Sequence, residues 1–335
     1  MKGKWSRNSA MIGALVWTAL GAYAGAGKAP LGVIELLLLF AFLVIIPLGL
    51  ALGEGISPAC SRLLHFVERL QPFAAAAITA SFWLSPGANA GIMALPWVLL
   101  CLCIALVGAL SLRSIRSLAD LAVNVGRMDL AVAAAWLLAS RFGFRPMSFQ
   151  EPIILLTAVH FHYTGFASAT IVAAAVKASA QSPIAPPLRW FAFLVLLTPF
   201  VLAVGFVYSP LLKMVAGIVM VLAMSGLAVV QLILAAFVSS RVSRAYLNVS
   251  AAAVAAAMGV AAIYVIGDWL HRDWLVIPQV AQTHGVLNAL GFSLCGILGW
   301  LIELAPPSSE SISDAYPHRK ERAANLRIPQ VHVLQ

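Results

Sequence analysis

Charge is what this chain has least of. Asp, Glu, Lys and Arg together make up 10% of its 335 residues, whereas a soluble domain carries roughly 25%. That scarcity excludes an ordinary soluble enzyme. Cysteine is also sparse: Cys60, Cys101, Cys103 and Cys295 form neither a CxxC pair nor a Cys/His array with metal-ligand spacing. This excludes a disulfide scaffold and a zinc motif, and the four read as reduced core residues. No Gly-rich phosphate loop, GxSxG elbow or HExxH motif is present, so nucleotide-driven transport and the common hydrolase chemistries have no support. No cofactor and no metal site are expected.

What is abundant is apolar: 62% of residues are hydrophobic and the mean hydropathy is +0.96. Apolar runs of membrane-spanning length recur from the N-terminus to residue 304, so the expected fold class is all-α, a polytopic transmembrane helix bundle. Ten spans are marked at 9–27, 31–51, 66–84, 91–110, 128–140, 152–176, 190–207, 214–238, 247–267 and 284–304. The third and the fifth are weak. The fifth has only 13 residues between Arg127 and Arg141, about 20 Å of helix against a hydrocarbon core of about 30 Å.

The basic residues bear on topology. Short cytoplasmic loops hold the excess of Lys and Arg. With ten spans and both termini cytoplasmic, sixteen of the 21 basic residues fall inside; without the fifth span the split drops to 12 against 9. The formal charge of +9 is spread singly or in small groups between apolar segments, which points to orientation and not to nucleic acid. Seven tryptophans, Trp5, Trp83, Trp97, Trp190, Trp269, Trp274 and Trp300, sit near proposed span ends, where indoles favour the interface. The stretch Ala22-Tyr23-Ala24 has the look of a signal cleavage site but reads as part of a retained first span. Domains are thus a transmembrane unit, 1–304, and a polar cytoplasmic tail, 305–335. Five spans plus five would invert one half relative to the other, as in many secondary transporters, although no similarity between the halves is visible.

Ionisable groups inside a bilayer are expensive and hence candidates for function. They are Glu35 in span two, Glu151, His160, His162 and Tyr163 in span six, His284 in span ten, and Glu303 at its end. At 100° per residue His160 shares a face with Thr157, Tyr163 and Thr164, whereas His162 points about 200° away, on Glu151's side. One helix therefore cannot aim both histidines at one metal. His284 and Asn288, four apart, share a face that Gly291 and Cys295 continue. Spans two, six and ten all begin at the expected outer face. Glu35, Glu151, His284 and Asn288 then lie in the outer half, with His160 and His162 near mid-membrane. The expectation is one polar pocket in the outer half, with His160, Tyr163, His284 and Glu151 as acid, base or proton-carrying groups. Thr164, Asn288, His162 and Glu35 would contact the substrate. Each also has a plain structural use, as an interhelical hydrogen bond or a helix-end cap.

The runs Glu151-Pro152, His160-Phe161-His162-Tyr163-Thr164-Gly165-Phe166, Thr283-His284-Gly285, Leu287-Asn288-Ala289 and Gly291-Phe292 resemble the YndJ-like bacterial membrane proteins. That resemblance implies a bacterial inner membrane and a transport role without a defined substrate. It supports Glu151, His160, His162, Tyr163, His284 and Asn288 without giving them roles. Three functions fit: first a carrier of a small or lipophilic molecule; then a cofactor-independent acid/base isomerase or cyclase acting on an amphipathic substrate; last a sensor or assembly factor. The expected partners are membrane lipids and a small or lipophilic substrate. The oligomeric state is not legible.

Overall fold

A computed structural model describes residues 3–53 and 58–304, so the expected tail at 305–335 lies outside the described residues. Every regular element among them is helical. Ten rods follow in order: α1 (Lys4–Gly25), α2 (Val33–Leu52), α3 (Pro58–Ser81), α4 (Ala88–Ser114), α5 (Leu118–Phe142), α6 (153–178), α7 (Ala185–Tyr208), α8 (Pro210–Ala235), α9 (Arg241–Trp269) and α10 (Ile277–Glu303). Seven of them, α2, α4, α5, α7, α8, α9 and α10, are long and apolar enough to cross a membrane. In α6 the middle turns carry His160, His162 and Tyr163, which lower its hydropathy.

The fifth expected span is corrected in length. Its helix has 25 residues, Leu118–Phe142, about 37 Å at 1.5 Å per residue. The Ser117 hydroxyl caps it by accepting from the Asp120 amide, and Gly143, at φ 77°, ends it in the left-handed turn that glycine tolerates best. Treating arginines as span edges misplaced both ends, because these arginines are interior. Arg127 is 1% exposed and donates to Asn124 Oδ1 at 2.9 Å; Arg141 is 6% exposed and donates to the carbonyls of Ser81 and Leu84 at the end of α3. A guanidinium can be buried where carbonyls left over at a helix end accept its protons.

Two of the seven tryptophans are corrected as well. Trp97 and Trp300 are both 0% exposed, so they are core residues and not interfacial anchors. Trp5, Trp83, Trp190, Trp269 and Trp274 are exposed, as expected of interfacial rings.

Three rods meet through irregular turns. α2, α6 and α10 each leave the α-helical pattern for π-helical turns, at Ala41–Ile45, Phe161–Ala167, and Ala281–Gly285 with Leu287–Leu294. The π segments of α2, α6 and α10 pack on one another. Rod α2 is apolar on all sides and 78% buried across its membrane-length window, against 28% for α7 at the periphery, which is where an all-round apolar helix belongs. Its carbonyls collect polar side chains from three neighbours: Trp17 Nε1 donates to Leu36 O at 2.8 Å, Gln71 Nε2 to Phe42 O at 2.7 Å, and Tyr163 Oη to Leu37 O at 2.7 Å. In an apolar medium each such donor must find a partner inside the bundle. Elsewhere, the Glu303 carboxylate accepts from the Ser239 and Ser240 amides where α9 starts, a charge suited to a helix N-terminus.

Candidate functional site

A cavity of about 260 Å³ lies among α6, α7, α8, α9 and α10. Its walls are mostly Leu, Val, Met, Phe and Pro side chains, and its polar lining includes Thr157, His160, Thr164, Tyr264, His284 and Asn288. An ion pair, Lys213 Nζ to Asp268 Oδ2 at 2.7 Å, joins the start of α8 to the end of α9 on its rim.

The two histidines come from rods that run the same way. His160 is seven residues into α6 and His284 seven into α10, about 10 Å down each axis. Their rings lie 6.5 Å apart between centroids, 26° from parallel. His160 Nδ1 meets the Leu156 carbonyl at 3.0 Å, and His284 Nδ1 meets the Ala257 carbonyl of α9 at 2.9 Å. A carbonyl only accepts, so both Nδ1 atoms carry the proton and both Nε2 atoms are acceptors when the rings are neutral. His284 Nε2 accepts from Asn288 Nδ2 at 3.1 Å, and the same amide reaches the His284 carbonyl at 2.9 Å. His160 is exposed to the cavity, and its Nε2 has no hydrogen-bond partner among the described residues. Chemically this leaves one available acceptor, His160 Nε2, facing an apolar pocket beside the bonded His284–Asn288 pair. It can take a hydrogen bond from a hydroxyl or acid, or a proton.

Of the residues expected from sequence, His160, Tyr163, Thr164, His284 and Asn288 line the cavity together. The other three do not. His162 is 0% exposed on the opposite side of α6; its Nδ1 donates to Ala158 O at 2.8 Å and its Nε2 accepts from Trp97 Nε1 at 3.3 Å. Phe42 packs edge-on against the ring. Glu151 Oε2 accepts from the Leu155 amide and Glu35 Oε2 from the Gly32 amide, so each carboxylate closes a turn where its own helix begins. Tyr163 reaches the cavity wall but spends its proton on Leu37 O. Tyr163→Phe is accordingly expected to cost about 1 kcal/mol of stability without altering what the cavity holds. Thermal unfolding beside a ligand-binding or activity assay checks this.

Sequence reasoning missed Asp129. It stands next to the residue taken as a span edge, yet is 1% exposed in the middle of α5. It falls inside the span marked at 128–140 and was passed over in the count of ionisable groups there.

The chain matches the model of the YndJ-like protein family over residues 36–292. It belongs to that family. Within the YndJ-like segment fall all the cavity-lining residues named above, as well as Asp129 and Glu151; Glu35 lies one position outside it. The chain is also 29% identical over 220 residues to a protein described as "Uncharacterized membrane protein YndJ" from Bacillus subtilis (strain 168). That stretch covers 64% of this chain and 40% of the relative, so the match spans well under half of the relative's length. No solved structure matches. The chain is therefore a multi-pass membrane protein of the YndJ-like family.

Proposed function

We propose that this YndJ-like protein carries a small lipophilic molecule with one hydrogen-bonding head across a bacterial inner membrane. The observation that carries the reading is the cavity: apolar walls around the His160 Nε2 acceptor, with the His284–Asn288 pair beside it. An apolar body would fill the space beside Phe161, Met220 and Met258, and a hydroxyl or acid head would donate to an imidazole. The polar lining clusters where α6 and α10 begin and α7 and α9 end, which suits a binding site entered from one side.

The orientation we favour has ten spans with both termini in the cytoplasm, so that this cavity opens toward the outer leaflet. The 25 residues of α5 support the span count. Setting aside the interior Arg127 and Arg141 leaves fifteen basic residues on the cytoplasmic side against four outside, which favours the same orientation.

A second reading has its own support. An imidazole held in one tautomer with its Nε2 toward a pocket, as His160 is, can also take a proton from a substrate as base and, once protonated, return it at another position as acid, an isomerisation without a cofactor. Untargeted mass spectrometry of cells and medium, separately, distinguishes the two. Strains would have the gene intact, deleted, or carrying His160→Ala. The carrier reading expects one compound of unchanged mass to shift between cells and medium in both altered strains. A precursor that accumulates while a product of different mass or retention time vanishes would replace it with the enzyme.

A further inference from the structure

We propose that Asp129 is a proton-binding carboxyl, held as the neutral acid where α5 meets the π-helical segment of α6. The argument stands on α5 and α6 alone and does not depend on what the cavity holds.

Asp129 lies eleven residues into a 25-residue rod, is 1% exposed, and its Oδ1 is buried with no hydrogen-bond partner. It packs directly on Gly165: a Cβ placed on that glycine would lie 2.7 Å from the Asp129 Cβ and 2.9 Å from its Oδ2. The glycine is what makes room for the carboxyl. The ionisable groups on its own rod and on the rods packed against it are engaged elsewhere or lie near helix ends. On α5, Arg127 bonds to Asn124 and Gly53 O, Arg141 caps α3, and Asp120 is in the first turn. On α6, His160 bonds to Leu156, His162 to Ala158 and Trp97, and Tyr163 to Leu37, while Lys177 is in the last turn. On α4 are Cys101, Cys103 and, near its end, Arg113; on α7, Arg189 and Tyr208 lie near its two ends. None of them makes a hydrogen bond or ion pair with Asp129.

A carboxylate without a cation or donors is far too costly in such surroundings, and the group takes up a proton instead. Release of that proton requires water or a cation to reach Oδ1, and therefore requires α5 and α6 to part at Gly165. The segment that must move, Phe161–Ala167, is π-helical, a form that recurs at functional sites. It also carries Tyr163 and Thr164 of the cavity wall. Proton occupancy at Asp129 and the shape of that wall are thereby linked.

The test uses the purified full chain in lipid nanodiscs. Infrared spectra of wild type and Asp129→Asn at neutral pH are expected to differ by one carboxylic-acid C=O band. In wild type made with ¹³C-labelled aspartate the same band should shift, a control that needs no substitution. Hydrogen exchange of peptides over 161–167, corrected for intrinsic rates, should rise several-fold from mildly acidic to alkaline buffer in wild type. In Asp129→Asn it should stay flat. A neutral-pH spectrum without an aspartic-acid band would overturn the proposal, and a carboxylate band that changes when sodium is replaced by choline would assign the site to a metal cation. Equal pH dependence of exchange in both proteins would overturn the link to α6.

Discussion

His162→Ala is expected to destabilise the bundle by about 3–5 kcal/mol, the sum of a cavity and an orphaned donor. The ring is fully buried between Trp97 and Phe42, and both its nitrogens are used. Alanine would leave the Trp97 indole N–H without an acceptor in a dry interior. His162→Phe would fill the space but leave the same N–H unsatisfied, so only part of the loss should return. His162→Gln, which keeps an acceptor on a side chain of similar reach, should recover more than phenylalanine does. Thermal unfolding in detergent measures all three. Near-wild-type midpoints for alanine would mean that the indole finds another partner, and the structural role given to His162 would be wrong.

The opposite pattern is expected two residues away along the same turn. His160→Ala should leave stability within about 0.5 kcal/mol, because the ring bonds only to the carbonyl one turn back and otherwise faces the cavity. Transport or turnover per folded molecule should nevertheless fall at least about tenfold, the equivalent of one lost hydrogen bond of about 1.4 kcal/mol. His284→Ala should combine both effects. Its Nδ1 ties α10 to Ala257 of α9 and its Nε2 holds Asn288, so about 1–2 kcal/mol of stability should go together with the activity. The informative quantity is the ratio of activity to folded protein. If His160→Ala unfolds as readily as His162→Ala while its activity per folded molecule stays at wild type, the cavity is not the working site.

Much of the site was legible because helical periodicity is a local rule. The 100° step put His160 with Tyr163 and Thr164 and sent His162 to the other side, and the structure keeps that division although the segment is π-helical. The i, i+4 spacing joined His284 to Asn288, and the two side chains are bonded. The two carboxylates were legible only as candidates. Glu35 and Glu151 stand at helix starts, where a backbone amide one turn away competes for the carboxylate, and here the amides of Gly32, before Glu35, and Leu155, after Glu151, have them. Trp97 was misread because an indole near a span end looks the same in sequence whether lipid or His162 awaits it.

Sequence by itself determined the class of molecule: a chain with 10% charge and repeated apolar runs can satisfy its backbone in lipid only as helices. It also determined which turns of α6 and α10 carry the polar groups. Tertiary structure alone decided the partners. Arg127 and Arg141 are buried where Asn124 and the carbonyls of Gly53, Ser81 and Leu84 converge on them, and Asp129 is buried where Gly165 of another rod leaves room. The physical reason is one of range. Hydropathy and periodicity are properties of neighbouring residues, whereas the cost of a buried charge or donor depends on atoms that lie far away in the chain.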